Sequence, residues 1–173
     1  MLATSFTEVT GFMRIAPDSP KPGIQYEFVV VLALDHGRDI FWKHGMSNHV
    51  LLLHPKSRGS VKLVSADPMA APLIDPNFFG QREDMDIMLR GFKELRRILA
   101  QPALSGLGGK EIPALAAAQS DAQIEQFIRD NADTEYHPVG TCRMGPGPMD
   151  VVDAELRVHG MQGLRVVDAS IMP

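Results

Sequence analysis

Apolar and polar positions alternate from residue 24 onward, with Ile24, Tyr26, Phe28, Val30 and Leu32 on one side and Gln25 and Glu27 on the other, before the run becomes wholly apolar. Alternation with period two predicts a strand entering a core. Residues 47–53 and 60–64 are two more runs of strand composition, and His54-Pro55-Lys56-Ser57-Arg58-Gly59 between them carries the Pro and Gly of a reversal. Together they predict an antiparallel hairpin. Prolines then interrupt regular structure from Asp67 to Asn77, after which the period changes. Met85, Met88, Leu89, Phe92, Leu95 and Leu99 recur at helical spacing, predicting an amphipathic helix. Glu83 and Asp84 at its start and Arg96-Arg97 near its end complement the helix dipole, and Pro102 stops it.

Ser120 followed by Gln123 is a capping-box pattern that opens a second helix, with Ala122, Ile124, Phe127 and Ile128 as its apolar face and Asn131 at its end. Gly145-Pro146-Gly147-Pro148 reads as a loop. Residues 156–158 and 164–167 read as short strands joined through Gly160 and Gly163. The fold class is therefore α+β, a mostly antiparallel sheet with flanking helices, arranged as strands, then helices, then a last β return. The chain stops at Asp168-Ala169-Ser170-Ile171-Met172-Pro173, straight after a strand and without a closing helix or polar tail, which reads as a truncated polypeptide.

Composition narrows the function classes. With 173 residues, 45% hydrophobic and 22% charged, the chain has ordinary globular composition and enough length for one sizeable core. A net charge of -4, with Lys and Arg scattered singly apart from Arg96-Arg97, provides no basic field and argues against nucleic-acid binding. The longest apolar run, residues 28–34, falls far short of the roughly 20 residues of a membrane-spanning helix. No basic stretch precedes an apolar one at the N-terminus, so no signal peptide is expected and the cytoplasm is the default compartment. The lone Cys142 excludes an intramolecular disulfide and a multi-cysteine metal site.

The candidate chemistry centres on His137, which Asp133-Thr134-Glu135-Tyr136-His137-Pro138-Val139-Gly140-Thr141 places between a helix end and a Gly/Pro loop. Rigid scaffolds present reactive groups on such loops. Imidazole side chains titrate near pH 6.5 in water, so one can accept an alcohol proton near neutrality. A single histidine without a visible partner is more often a packed or hydrogen-bonded structural residue. His44, His49 and His54 recur every five residues, but that step reverses the face of a strand and turns a helix by about 140°, so no metal site is expected. Cys142, five residues after His137, lacks an orienting third group and reads as packing rather than a nucleophile. Arg143 either shapes the surroundings of His137 or pairs with a surface carboxylate. Phe41 and Trp42, beside Lys43, are either core or a binding patch.

Several motifs occur together. His137-Pro138-Val139-Gly140-Thr141, Arg143-Met144-Gly145, Val152-Asp153 with Leu156-Arg157-Val158, and Gly163-Leu164-Arg165-Val166-Val167-Asp168-Ala169-Ser170-Ile171-Met172-Pro173 follow one another in order. In order and spacing they resemble the C-terminal signature of the glucose-methanol-choline (GMC) oxidoreductases, above all the choline dehydrogenase and choline oxidase branch. Ser57-Arg58-Gly59-Ser60-Val61-Lys62-Leu63, Asp67-Pro68 and Ile74-Asp75-Pro76 resemble the substrate-domain segment of that branch.

The resemblance implies hydride transfer from a primary alcohol to flavin adenine dinucleotide (FAD), with His137 as the proton acceptor and Asp168 and Ala169 where the returning chain meets the flavin. It also places the segment carrying His44, His49 and His54 beside the substrate pocket, with Trp42 and His49 as pocket candidates. The implied division is 1–141 as a partial substrate-binding domain and 142–173 as a return segment toward a flavin-binding domain. The family's glycine fingerprint for the pyrophosphate has no counterpart here, and its second active-site residue, an asparagine or histidine, would follow the segment matching Met172-Pro173. The isolated chain is therefore expected neither to retain FAD tightly nor to turn over alcohol. In the full-length enzyme, peripheral membrane association stays compatible with these features. The alternative is a non-catalytic truncated product that binds partners, or forms homo-oligomers, through surface exposed where the flavin domain docks.

Overall fold

A computed structural model describes residues 7–15, 18–34, 39–41 and 44–173. In chain order the strands are β1 (Thr7–Met13), β2 (Ile24–Val29), β3 (Leu32–Leu34), β4 (Asp39–Phe41), β5 (Ser47–Leu52), β6 (Ser60–Lys62) and β7 (Leu73–Asp75). The helices are α1 (Arg82–Leu99), α2 (Pro102–Ser105), α3 (Pro113–Ala117) and α4 (Asp121–Asn131), and a 3-10 turn covers Ala169–Ile171. The α+β class is as expected. The chain divides into two compact units, Met1–Arg58 with Asn77–Asp133, and Gly59–Pro76 with Thr134–Pro173.

In the first unit, the alternation beginning at Ile24 becomes β2, the middle strand of an antiparallel sheet ordered β1-β2-β5. Tyr26 lies opposite Gly11 and Val50, and Glu27 opposite Thr10 and His49. One face therefore gathers Ile24, Tyr26, Met13, Val50 and Leu52 into a core with Leu95, Ile87 and Ile98 of α1. The other carries Gln25, Glu27, Thr10 and His49, with Gln25 donating to both Thr10 and Glu27. Helix α1 approaches this sheet closely at Gly91. A Cβ there would sit 3.0 Å from Ile24 Cγ1 and 3.2 Å from Val50 Cγ1, and the Gly91 carbonyl accepts the buried Tyr26 hydroxyl at 2.9 Å. Burial and the nearby Glu94 push the Tyr26 phenol up to about 12.

A second face of α1, formed by Met85, Met88, Leu89 and Phe92, packs with Ala118, Ile124, Phe127 and Ile128 around α4. Two apolar faces explain why the stripe read from the sequence was too narrow, since Ile87, Gly91 and Ile98 belong to the sheet side. Each fully buried side chain of this size contributes about 1.5–3 kcal/mol. Helix α4 starts with the predicted capping box, Ser120 accepting from the Gln123 amide while Gln123 accepts from the Ser120 amide. Arg96 ties α3 in by donating to the Leu115 and Ala118 carbonyls and to Glu111.

Four expectations about strands are corrected. The strand beginning at Ile24 is interrupted at Val30-Val31, and β3 pairs with β4 in a separate two-stranded sheet. Residues 47–53 and 60–64 do not form a hairpin: β5 pairs with β2, and β6 pairs with β7. The cause is local. Val50 and Leu52 complete the apolar face of β2, while the buried Asp84 carboxylate takes the Lys56 amide at 2.8 Å and the Ser57 amide at 2.7 Å, turning the chain away from β5. At Gly59 a Cβ would lie 2.2 Å from the Asp75 carbonyl oxygen, so a glycine is needed where the strands of the β6–β7 hairpin start to close. β7 itself lies within the Pro-rich 67–77 stretch expected to lack regular structure. Finally, 156–158 and 164–167 form only isolated bridges, Val152 with Val158 and Arg157 with Arg165, rather than strands.

The 134–173 part of the second unit is a mesh of loops threaded around Val152, which is fully buried. Met144 bridges Val152 in parallel and Val158 bridges it from the other side, and the His159 amide reaches the Val151 carbonyl at 3.0 Å. No helix among the described residues is long and apolar enough to cross a membrane.

Candidate active site

His137 owes its backbone to its neighbours. The chain leaves α4 in extended conformation at Ala132, and Pro138 disfavours a helical conformation for His137. Tyr136 sits at φ 60°, a left-handed conformation that costs a non-glycine residue on the order of 1 kcal/mol. Its amide is taken by Thr134 Oγ1 at 3.0 Å, which helps to hold that turn. Gly140 at φ 87° turns the chain again on the far side, where a side chain would be strained. The imidazole is exposed, and among the described residues none hydrogen-bonds to it.

Downstream of Gly140 the loop is fastened to the end of the chain. The Cys142 amide donates to the Ser170 carbonyl at 3.0 Å and the Met144 amide donates to the Ile171 carbonyl at 2.9 Å. Those two carbonyls are presented by the 3-10 turn over Ala169–Ile171, which Asp168 caps by accepting the Ser170 amide at 2.8 Å and the Ser170 hydroxyl. The Ser170 hydroxyl, and then its amide, hold the Asp168 carboxyl below the usual carboxylate range. The structure thus brings His137 into one threaded assembly with Asp168 and Ala169.

Arg143 had two open readings, and its guanidinium donates to Asp150. Asp150 also accepts the Gly147 amide at 2.7 Å, and a Cβ at Gly145 would lie 2.2 Å from its carboxylate. The Gly147 amide and then Arg143 hold the Asp150 carboxyl below its ordinary range. The Gly-Pro loop is therefore wrapped around a carboxylate, a role for Asp150 and Ser170 that the sequence motifs contain but do not announce. His49 lies exposed on β5, opposite Glu27 on β2, with its Nδ1 4.0 Å from Glu27 Oε2. His44 and His54 precede and follow that strand. Trp42 lies outside the described residues.

Asp168 and Ala169 are both exposed, and Ala169 presents only a methyl group beside backbone. That surface fits close approach by a flat ring system such as a flavin.

Fold and site together define an α+β chain that carries one exposed histidine on a loop stitched to a small-residue turn. The chain belongs to the GMC oxidoreductase family, whose profile matches residues 55–173. It is 44% identical over 172 residues to the alcohol dehydrogenase [acceptor] of Pseudomonas putida, covering 99% of this chain and 31% of that protein. It is 45% identical over 171 residues to the oxygen-dependent choline dehydrogenase of Paraburkholderia phymatum, covering 99% of this chain and 30% of that one. Among solved structures it matches pyridoxine 4-oxidase from Mesorbium loti with a TM-score of 0.79 at 31% identity, over 97% of this chain and 33% of that chain. It also matches an FAD-dependent oxidoreductase from Chaetomium thermophilum with a TM-score of 0.70 at 29% identity, over 88% and 24% of the two chains. The chain spans about a third of the length of the curated relatives it matches.

Proposed function

We propose that this chain is the C-terminal, substrate-domain part of an FAD-dependent alcohol dehydrogenase or oxidase of the choline-dehydrogenase kind, in which His137 accepts the hydroxyl proton of a primary alcohol. The observation that carries the reading is the placement of His137. It is a single exposed imidazole, unengaged among the described residues, on a loop fastened to the Asp168–Met172 turn, in a chain 40–45% identical to alcohol and choline dehydrogenases.

Each part of this chain then has a task. The turns at Tyr136 and Gly140 frame the exposed imidazole, and the Cys142 and Met144 amides fix the loop's distance from the Ala169 surface. His137 takes up the alcohol proton as carbon–hydrogen cleavage proceeds, stabilising the developing alkoxide, and releases it afterwards. Bound flavin supplies the hydride acceptor. Asp168 and Ala169 form the surface the ring system meets, and Trp42 and His49 are the candidates for contacts to the rest of the alcohol.

The test is a panel of choline, short aliphatic alcohols and polyols added anaerobically to the flavin-bearing polypeptide that contains this sequence, with flavin absorbance followed. The reading expects bleaching by at least one primary alcohol. If none bleaches the flavin, the alcohol-oxidising assignment is wrong.

A further inference from the structure

The resemblance gives Asp168 to the cofactor, yet its carboxylate is engaged inside the chain. Oδ1 accepts both the amide and the hydroxyl of Ser170, which caps the 3-10 turn over Ala169–Ile171. The turn is closed by two long backbone bonds, Ile171 to Asp168 at 3.3 Å and Met172 to Ala169 at 3.2 Å, so the cap is its better-formed constraint. The turn aims two consecutive carbonyls, those of Ser170 and Ile171, at the amides of Cys142 and Met144. Between His137 and Cys142 the loop's own backbone contributes a long bond from the Arg143 amide to the Gly140 carbonyl at 3.3 Å, while beyond Cys142 the Arg143 carbonyl also accepts the Val151 amide at 3.0 Å and the Gly145 amide donates to the Val152 carbonyl at 3.1 Å. Residues 137–139 have no such bond of their own. The path of His137 is therefore set at one end by the Thr134–Tyr136 turn and at the other by the Asp168 turn.

We infer that Asp168 is a positioning residue for His137: through Ser170 it fixes the turn that anchors Cys142 and Met144, so the flavin-facing segment and the proton acceptor are held in one register. The inference rests on the proposed role of His137. It assigns to the Asp168 carboxylate a task other than touching the cofactor. A displacement of the turn would move the imidazole relative to the Ala169 surface, where a shift of an ångström is enough to impair proton transfer.

Amide hydrogen exchange on the ¹⁵N-labelled 173-residue chain tests this directly. Asp168→Ala should accelerate exchange at Cys142 and Met144 by roughly tenfold, the effect of losing one cap. Val158, whose amide donates to Leu164 at 3.1 Å in the same unit, and Tyr26 in the sheet should keep their rates. The His137 ring proton resonances should shift in Asp168→Ala. Asp168→Asn retains an acceptor oxygen at this position and should restore most of the protection and the ring shifts. Ser170→Ala, which leaves the backbone cap, should give a smaller acceleration confined to the same two amides. Unchanged exchange at Cys142 and Met144 overturns the inference, as does equal acceleration at Val158 or no recovery in Asp168→Asn. If His137→Ala leaves alcohol-driven flavin bleaching intact, the reading of His137 is lost, whereas the exchange result bears only on Asp168.

Discussion

Replacing Asp84 with asparagine removes one charge from the best-buried polar position in the described residues, where the side chain is 1% exposed. The carboxylate accepts the Lys56 amide at 2.8 Å, the Ser57 amide at 2.7 Å and the Ser57 hydroxyl at 2.5 Å. An asparagine keeps one acceptor oxygen but turns an NH₂ group toward two donors, leaving a backbone N–H unsatisfied and the other bonds uncharged. Leaving a buried donor unpaired costs about 1–3 kcal/mol, and hydrogen bonds to a charged group contribute about 1.5–3 kcal/mol. The expected loss is therefore about 3 kcal/mol, which lowers the melting temperature of a chain of this size by roughly 6–12 °C.

The pH dependence sharpens this prediction. Burial pushes the Asp84 carboxyl up, but the bonds from Lys56 and Ser57 together outweigh it and hold the group below the usual range. A carboxyl depressed in the folded state contributes stability that is complete above its unfolded value near 3.9 and is lost as pH falls through its lower folded value. The gap between the natural chain and Asp84→Asn, measured by thermal unfolding, should therefore be constant from pH 7 to about pH 5 and shrink below pH 4. A variant that melts with the natural protein at pH 7, or a gap that persists undiminished at pH 3, would refute the reasoning.

Other consequences follow from single contacts. Tyr26→Phe should cost about 1 kcal/mol for the lost bond to the Gly91 carbonyl. Because burial raises the Tyr26 phenol to about 12, its stabilising effect is present below pH 10 and lost as pH rises toward 12, so alkaline unfolding should shift upward in the phenylalanine variant. Gly91→Val should destabilise by about 2 kcal/mol through overpacking against Ile24 and Val50, whereas in Gly91→Ala the helix-propensity gain of about 1 kcal/mol offsets the tight fit; denaturant midpoints for the two would show the difference. Arg96→Lys keeps the charge but cannot reach Glu111 and the Leu115 and Ala118 carbonyls together. It should cost about 2 kcal/mol and loosen amide protection in α3.

Much of this was legible in the sequence because it was locally encoded. Helix α1 is specified by its apolar spacing and end charges and α4 by Ser120 and Gln123, so both appear where expected. The strand at Ile24 was visible from alternation, but its partners were not, because register depends on which distant apolar face β5 completes. The hairpin expected between residues 47 and 64 failed for that reason, compounded by Asp84, whose bonds to Lys56 and Ser57 cross 27 and 28 residues. β1 went unread: Thr7, Glu8 and Thr10 stand among its apolar positions, and most of its residues are exposed at the sheet edge. At the site, motif order pointed to His137, Asp168 and Ala169. The connection between them runs through the backbone amides of Cys142 and Met144, which no side-chain pattern records.

The proposed chemistry turns on His137 accepting the alcohol's proton. Stopped-flow flavin reduction by a primary alcohol, compared between the flavin-bearing polypeptide with natural His137 and its His137→Ala version at equal flavin content, tests it most directly. Removal of a general base should slow reduction by about 10²–10⁴-fold with the flavin spectrum retained, and reduction at the natural rate in the variant would contradict the claim.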